Sequence, residues 1–145
     1  MSDVDRSAIV AYSADKMFAL VEDIESYPRF LPWCERAAVL SREPGRTVAT
    51  LYVNAHGLRQ HFTTENVNRP GASIEMKLIE GPFRDLDGRW SFTDLGPGGC
   101  KIEFKLHYEF GSALLEKALG PAFHRIADRF VEAFVRRAGE KFGRA

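Results

Sequence analysis

Along residues 112–142 the apolar side chains Leu115, Leu119, Phe123, Ile126, Phe130, Phe134, Ala138 and Phe142 recur at steps of three and four, while Arg125, Arg129, Glu132, Arg136 and Glu140 fall between them. That period is one face of an amphipathic helix. Gly120-Pro121 interrupts the stripe. Proline is accepted in a first helical turn, so the pattern predicts a short helix, a bend at this dipeptide and a second helix of about 22 residues. So aromatic a stripe needs an apolar surface to lie on. At roughly 1.5–3 kcal/mol per buried side chain the stripe represents about 12–24 kcal/mol of gross burial, largely offset by chain ordering.

The rest of the chain predicts that surface. Residues 6–12 alternate as a strand and end at Ser13, placed to cap a helix that starts Ala14-Asp15-Lys16 and carries Met17, Phe18, Leu20, Val21 and Ile24. Pro28 and Pro32 then limit the next stretch to a short helical turn within a loop that carries Tyr27, Phe30, Leu31 and Trp33. These four side chains either plug the core or form the lip of an apolar opening. From Ala37 the period changes to two, with strands over 37–42, 47–55, 59–68, 72–80, 83–95 and 101–110 separated by Gly- and Pro-rich turns. The last strand is the clearest: Ile102, Phe104, Leu106, Tyr108 and Phe110 on one face, Lys101, Glu103, Lys105, His107 and Glu109 on the other. Leu51, Val53, Ala55, Ile74, Met76, Leu78, Trp90 and Phe92 continue the buried face, and Gly88 inside its strand predicts a bulge or sharp bend. The order is β-α-α-β6-α: an α+β architecture in which a seven-stranded curved antiparallel sheet bends around a long C-terminal helix, with room for a cavity between them.

Composition fits one globular domain over residues 1–145, with 45% apolar and 28% charged residues. Twenty basic residues balance twenty acidic ones, so nothing steers the whole chain to DNA. The segment 112–145 is biased, with seven basic against four acidic residues. It reads as a solvated helix face or as a surface for an anionic partner, such as the periphery of a membrane. Cys34 and Cys100 are too few and too far apart for a metal knuckle or a disulfide scaffold, the N-terminus lacks a signal-peptide pattern, and no apolar run reaches 18 residues. A cytoplasmic protein that does not span a membrane is expected.

No catalytic set emerges. His56 and His61 flank Gly57 across a hairpin turn without a third metal ligand, His107 falls on the wet face of its strand, His124 on the polar side of its helix, and Cys34 has no local histidine partner. Gly96-Pro97-Gly98-Gly99 joins two strands and opens no helix, so it is a hairpin turn and not a phosphate loop. The expectation is no enzyme, no metal and no catalytic cofactor.

Two motifs sit at fixed places in this element order: Ser26-Tyr27-Pro28-Arg29-Phe30-Leu31-Pro32-Trp33-Cys34 after the first helix, and Gly81-Pro82-Phe83-Arg84-Asp85-Leu86-Asp87-Gly88-Arg89-Trp90-Ser91-Phe92 on the strands. In combination they make the chain resemble, over nearly its whole length, the START-like coenzyme Q-binding family, which has a bacterial branch of ribosome-association toxins. The resemblance implies a helix-grip fold, an apolar cavity, a bound lipid-like ligand such as ubiquinone or a similar isoprenoid quinone, and no catalysis. For the toxin branch it implies binding to the large ribosomal subunit. A polyketide aromatase or cyclase shares the fold, but no acid/base pair supports that chemistry here. A quinone needs a long apolar slot with one or two polar groups for its ring oxygens. The residues suited to line it are Tyr27, Phe30, Leu31, Trp33, Met76, Phe83, Trp90, Phe104, Tyr108, Phe123 and Phe130, with the hydroxyl of Tyr27 or Tyr108 donating to a carbonyl. The same residues also suit an ordinary filled core.

Overall fold

A computed structural model describes residues 2–55 and 57–143, with the backbone alone at Ala55; His56 lies outside the described residues. Strand β1 (Ser2–Val10) leads to helix α1 (Ala14–Glu22), and a 3-10 segment (Ile24–Arg29) leads to β2 (Cys34–Glu43), β3 (Arg46–Ala55), β4 (Leu58–Arg69), β5 (Ser73–Glu80), β6 (Phe83–Asp94) and β7 (Cys100–Phe110). Helices α2 (Ala113–Asp128) and α3 (Phe130–Phe142) end the chain. Serines cap two helices: the Ser13 hydroxyl, as expected, accepts from the Lys16 N–H, and the Ser112 hydroxyl accepts from the Leu115 N–H.

The strands make one open antiparallel sheet in the order β1-β7-β6-β5-β4-β3-β2, a meander of β2 to β7 with the first strand added beside the last, so that β1 and β2 are the edges. Inward positions of β7 are buried throughout, from Cys100 and Ile102 to Phe110. The C-terminal helices lie along the inner face, where Leu119, Ala127, Val131, Phe134 and Ala138 are buried. This is the helix-grip architecture expected from the sequence.

Two local expectations are corrected. The helix does not break at Gly120-Pro121, which lies inside α2; it breaks at Arg129, whose N–H is shared between the carbonyls of Arg125 at 3.2 Å and Ile126 at 3.3 Å. Pro121 is exposed, so the Lys117 carbonyl that loses its usual helical donor can be hydrated, while Leu119 is buried and Phe123 half-buried against the sheet. The tight turn at Arg129 lets the adjacent Phe130 and Val131 both face inward, one to the interior and one to β1. Gly88, in turn, is in regular register with Met76 and Leu106; the sheet's irregularities fall at Cys34–Arg36, Val39–Ser41, Thr63–Thr64 and Phe83–Asp85. What Gly88 provides is space. A Cβ there would lie 2.8 Å from Met76 Cε and 3.1 Å from Leu106 Cδ1, so its hydrogen makes room for two side chains on the inner face.

Candidate functional site

The sheet and helices do not fill the interior completely. A cavity of about 80 Å³ lies between them, walled by β3 (Ala49, Leu51, Val53), β4 (Phe62, Thr64, Asn66), Met76 of β5, Leu86 of β6, and Phe104 and Leu106 of β7. Its opposite wall is Phe123, Ile126 and Ala127 of α2 and Phe130 of α3, and Ile24, Tyr27 and Trp33 close one side. A second cavity of about 30 Å³ shares Val53, Phe62, Phe123 and Ile126 with the first and continues to Leu58, Gln60, Pro82 and Leu119.

Of the sequence-selected lining residues, Tyr27, Trp33, Met76, Phe104, Phe123 and Phe130 line the larger cavity, and Phe83 lines the smaller. Trp90 is fully buried among Phe92, Phe104, Phe130 and Phe134, with ring centroids 4.9–6.1 Å apart. It stands behind the cavity wall. Leu31 is buried in the core and Phe30 packs at 5.1 Å on Phe134. Tyr108 packs at 4.8 Å on Phe123.

Neither tyrosine hydroxyl is held ready for a ligand. Tyr27 donates to the Val21 carbonyl at 2.5 Å, and Tyr108 Oη lies 3.2 Å from His124 Nδ1. The polar groups in the cavity wall are Thr64 and Asn66, both buried, with the Thr64 hydroxyl donating to Asn66 Oδ1 at 2.8 Å. Sequence reasoning missed them because β4 places polar residues at inward positions: Phe62, Thr64, Asn66 and Asn68 share its buried face, so alternation of hydrophobicity there carries no signal.

Cys34 is buried, and burial pushes its thiol up to about 11 against a smaller lowering from a backbone hydrogen bond at Arg36. It stays protonated near neutral pH and is no nucleophile there. Among the described residues, no group of three or more His, Cys, Asp or Glu is arranged to hold a metal ion, and no helix is long and apolar enough to cross a membrane.

Residues 10–135 match the family described as polyketide cyclase / dehydrase and lipid transport. The chain belongs to that family. Among its relatives is the protein of Vibrio cholerae named ribosome association toxin RatA, 43% identical over 143 residues that cover 99% of each chain. A Xenopus laevis protein named coenzyme Q-binding protein COQ10 homolog B, mitochondrial, is 28% identical over 98% of this chain and 60% of its own. The fold also matches a Streptomyces aromatase/cyclase at a TM-score of 0.84 over 99% of both chains, with 18% identity. The START-like resemblance read from the two motifs is thus borne out, toxin branch included. The names of these sequence relatives are of a toxin and a coenzyme Q-binding protein, whereas the structural neighbour is a cyclase.

Proposed function

We propose that this protein carries an isoprenoid quinone, ubiquinone or a close analogue, in the cavity between sheet and helices, and supports its delivery or use in respiration without catalysing a reaction. The cavity carries this reading: an apolar wall with a small polar spot is the chemistry a quinone ring requires. At about 80 Å³ it is well below the roughly 300–1,000 Å³ of sites for drug-sized ligands, so entry displaces lining side chains. Met76, Phe123 and Phe130 are half-buried, and the unbranched Met76 adapts at low cost. The coenzyme Q-binding name of the Xenopus relative supports the same ligand class. On this reading the protein works in the cytoplasm and meets a membrane only at its surface. Organic extraction of protein purified from a quinone-producing host, followed by mass spectrometry, should return a quinone near one per chain. A lipid-free extract would overturn the reading.

The 43% identity to a protein named ribosome association toxin favours a second reading, binding to the large ribosomal subunit that blocks subunit association. Arg129 and Arg136 are exposed on the C-terminal helices, diluted by Glu132 and Glu140. Lipid-free protein that co-sediments with the large subunit and is released by salt would put this reading first.

A further inference from the structure

The wall of the cavity is graded along β4. Leu58 and Gln60 stand at the outer end, in the wall of the smaller cavity; Phe62 belongs to both cavities; Thr64 and Asn66 belong to the larger one; Asn68 follows on the same face, beyond the cavity wall. In an extended strand, alternate residues face the same way, and the eight residue steps from Leu58 to Asn66 span about 26 Å. Along the outer half of this track Leu58 and Gln60 are exposed and lead to Phe62, and the buried polar groups Thr64, Asn66 and Asn68 occupy the inner half.

Asn66 has a specific capacity within that gradient. Its Oδ1 accepts from the Thr64 hydroxyl, which fixes the carboxamide's orientation and leaves the two Nδ2 hydrogens without a protein acceptor among the described residues. One inward position deeper, Asn68 Nδ2 donates to Thr47 Oγ1 at 2.9 Å while its Oδ1 is buried with no hydrogen-bond partner. In a low-polarity interior an amide hydrogen facing a cavity is a selective acceptor-seeking group, because leaving it unpaired costs more than the bond itself contributes.

We propose that Asn66 anchors a ring carbonyl of the ligand and that Thr64 positions it, with the prenyl tail running outward past Phe62 and Phe123 towards Leu58 and Leu119. This rests on the quinone reading above and adds to it an orientation and a preferred oxidation state. A quinone carbonyl only accepts, whereas a quinol hydroxyl must also place its own proton, so Asn66 favours the oxidised ring.

The test is equilibrium binding of the full chain, quantified by extraction and mass spectrometry, to ubiquinone with two isoprene units, its quinol, and squalene, an isoprenoid with no ring oxygen, with a ten-isoprene ubiquinone and the tail-less ring added to place the tail. Asn66→Leu keeps the side-chain size and removes the donor. It should weaken quinone binding about tenfold, abolish the preference for quinone over quinol, and leave squalene binding as in the wild type. Thr64→Val, nearly the same shape as threonine, should weaken quinone binding several-fold and keeps the test open if Asn66→Leu folds poorly. Leu58→Asp, on an exposed position, should weaken a ten-isoprene ubiquinone while sparing the tail-less ring. Unchanged quinone binding in both Asn66→Leu and Thr64→Val would overturn the anchor while the carrier reading stands. Wild-type protein that takes up neither quinone nor squalene would overturn both, and loss of the tail-less ring in Leu58→Asp would reverse the orientation.

Discussion

A buried tyrosine hydroxyl has one proton to give, and Tyr27 gives it to the Val21 carbonyl near the end of α1. That bond holds the 3-10 segment against the helix before it. Burial raises the Tyr27 pKa far above the ordinary phenol value, with the neighbouring Cys34 and Asp23 adding to the rise, so the group stays a neutral donor. Tyr27→Phe keeps the ring among Phe30, Phe130 and Phe134, 5.4–6.4 Å between centroids, and strips the Val21 carbonyl of this partner. Chemical denaturation should show a loss of about 1–2 kcal/mol with quinone content unchanged. Stability held and quinone lost would mean that the hydroxyl serves the ligand after all. The Tyr27 hydroxyl is engaged by the Val21 carbonyl, a partner not legible in the sequence, where a residue's type suggests a buried hydroxyl but not which carbonyl reaches it first.

At the scale of elements, β1 is an edge strand joined only to β7, and side chains help to fasten it. Arg6 pairs with Asp128 at the end of α2, and His107 of β7 places Nδ1 2.8 Å from Asp3 and Nε2 3.7 Å from Asp85. The bond to Asp3 is the main cause of a raised His107 pKa; desolvation opposes it, and the charges of Asp3, Asp87 and Asp85 add lesser increments in the same direction as the bond. A raised folded-state pKa stabilises fully below the unfolded value of about 6.5 and loses its effect as pH rises through the raised value. Amide exchange in β1, corrected for intrinsic rates, should therefore protect more strongly near pH 6 than near pH 8.5, and His107→Gln should flatten the difference. Equal pH dependence in both proteins would remove His107 from the account. Elements of this kind were legible where one physical signal dominates, as in the alternation of β7 and the stripe of α2 and α3. The helix break was not, because Pro121 marks a local cost while the break at Arg129 answers to which side chains must face the sheet. Thr64 and Asn66 were illegible for the same reason, since burial of a polar residue on β4 is decided by its strand partners and not by its own hydropathy.

Across the whole molecule, the cavity is a stability cost retained in the fold. A void of about 80 Å³ corresponds to about 2 kcal/mol on the cavity-volume scale measured for buried substitutions, a large part of the margin of an ordinary domain. Gly88 adds to the roominess of the same wall, since a side chain there would press Met76 and Leu106 inward. If ligand capacity is what this space provides, filling it should separate stability from binding. Ala49 is buried and lines the cavity from β3, so Ala49→Val adds volume into the void. Its unfolding temperature in the ligand-free state should rise by a few degrees, as about 1 kcal/mol gives in a chain of this size, while the stabilisation added by excess quinone shrinks. Arg129→Glu with Arg136→Glu, both on the exposed helix surface, should leave both quantities as in the wild type and diminish any salt-sensitive binding to the large ribosomal subunit. The two variants thus divide the interior from the surface: a lower unfolding temperature in Ala49→Val with undiminished quinone stabilisation would show that the ligand lies elsewhere, and ribosome binding that survives the double charge reversal would take that partner off this helix face.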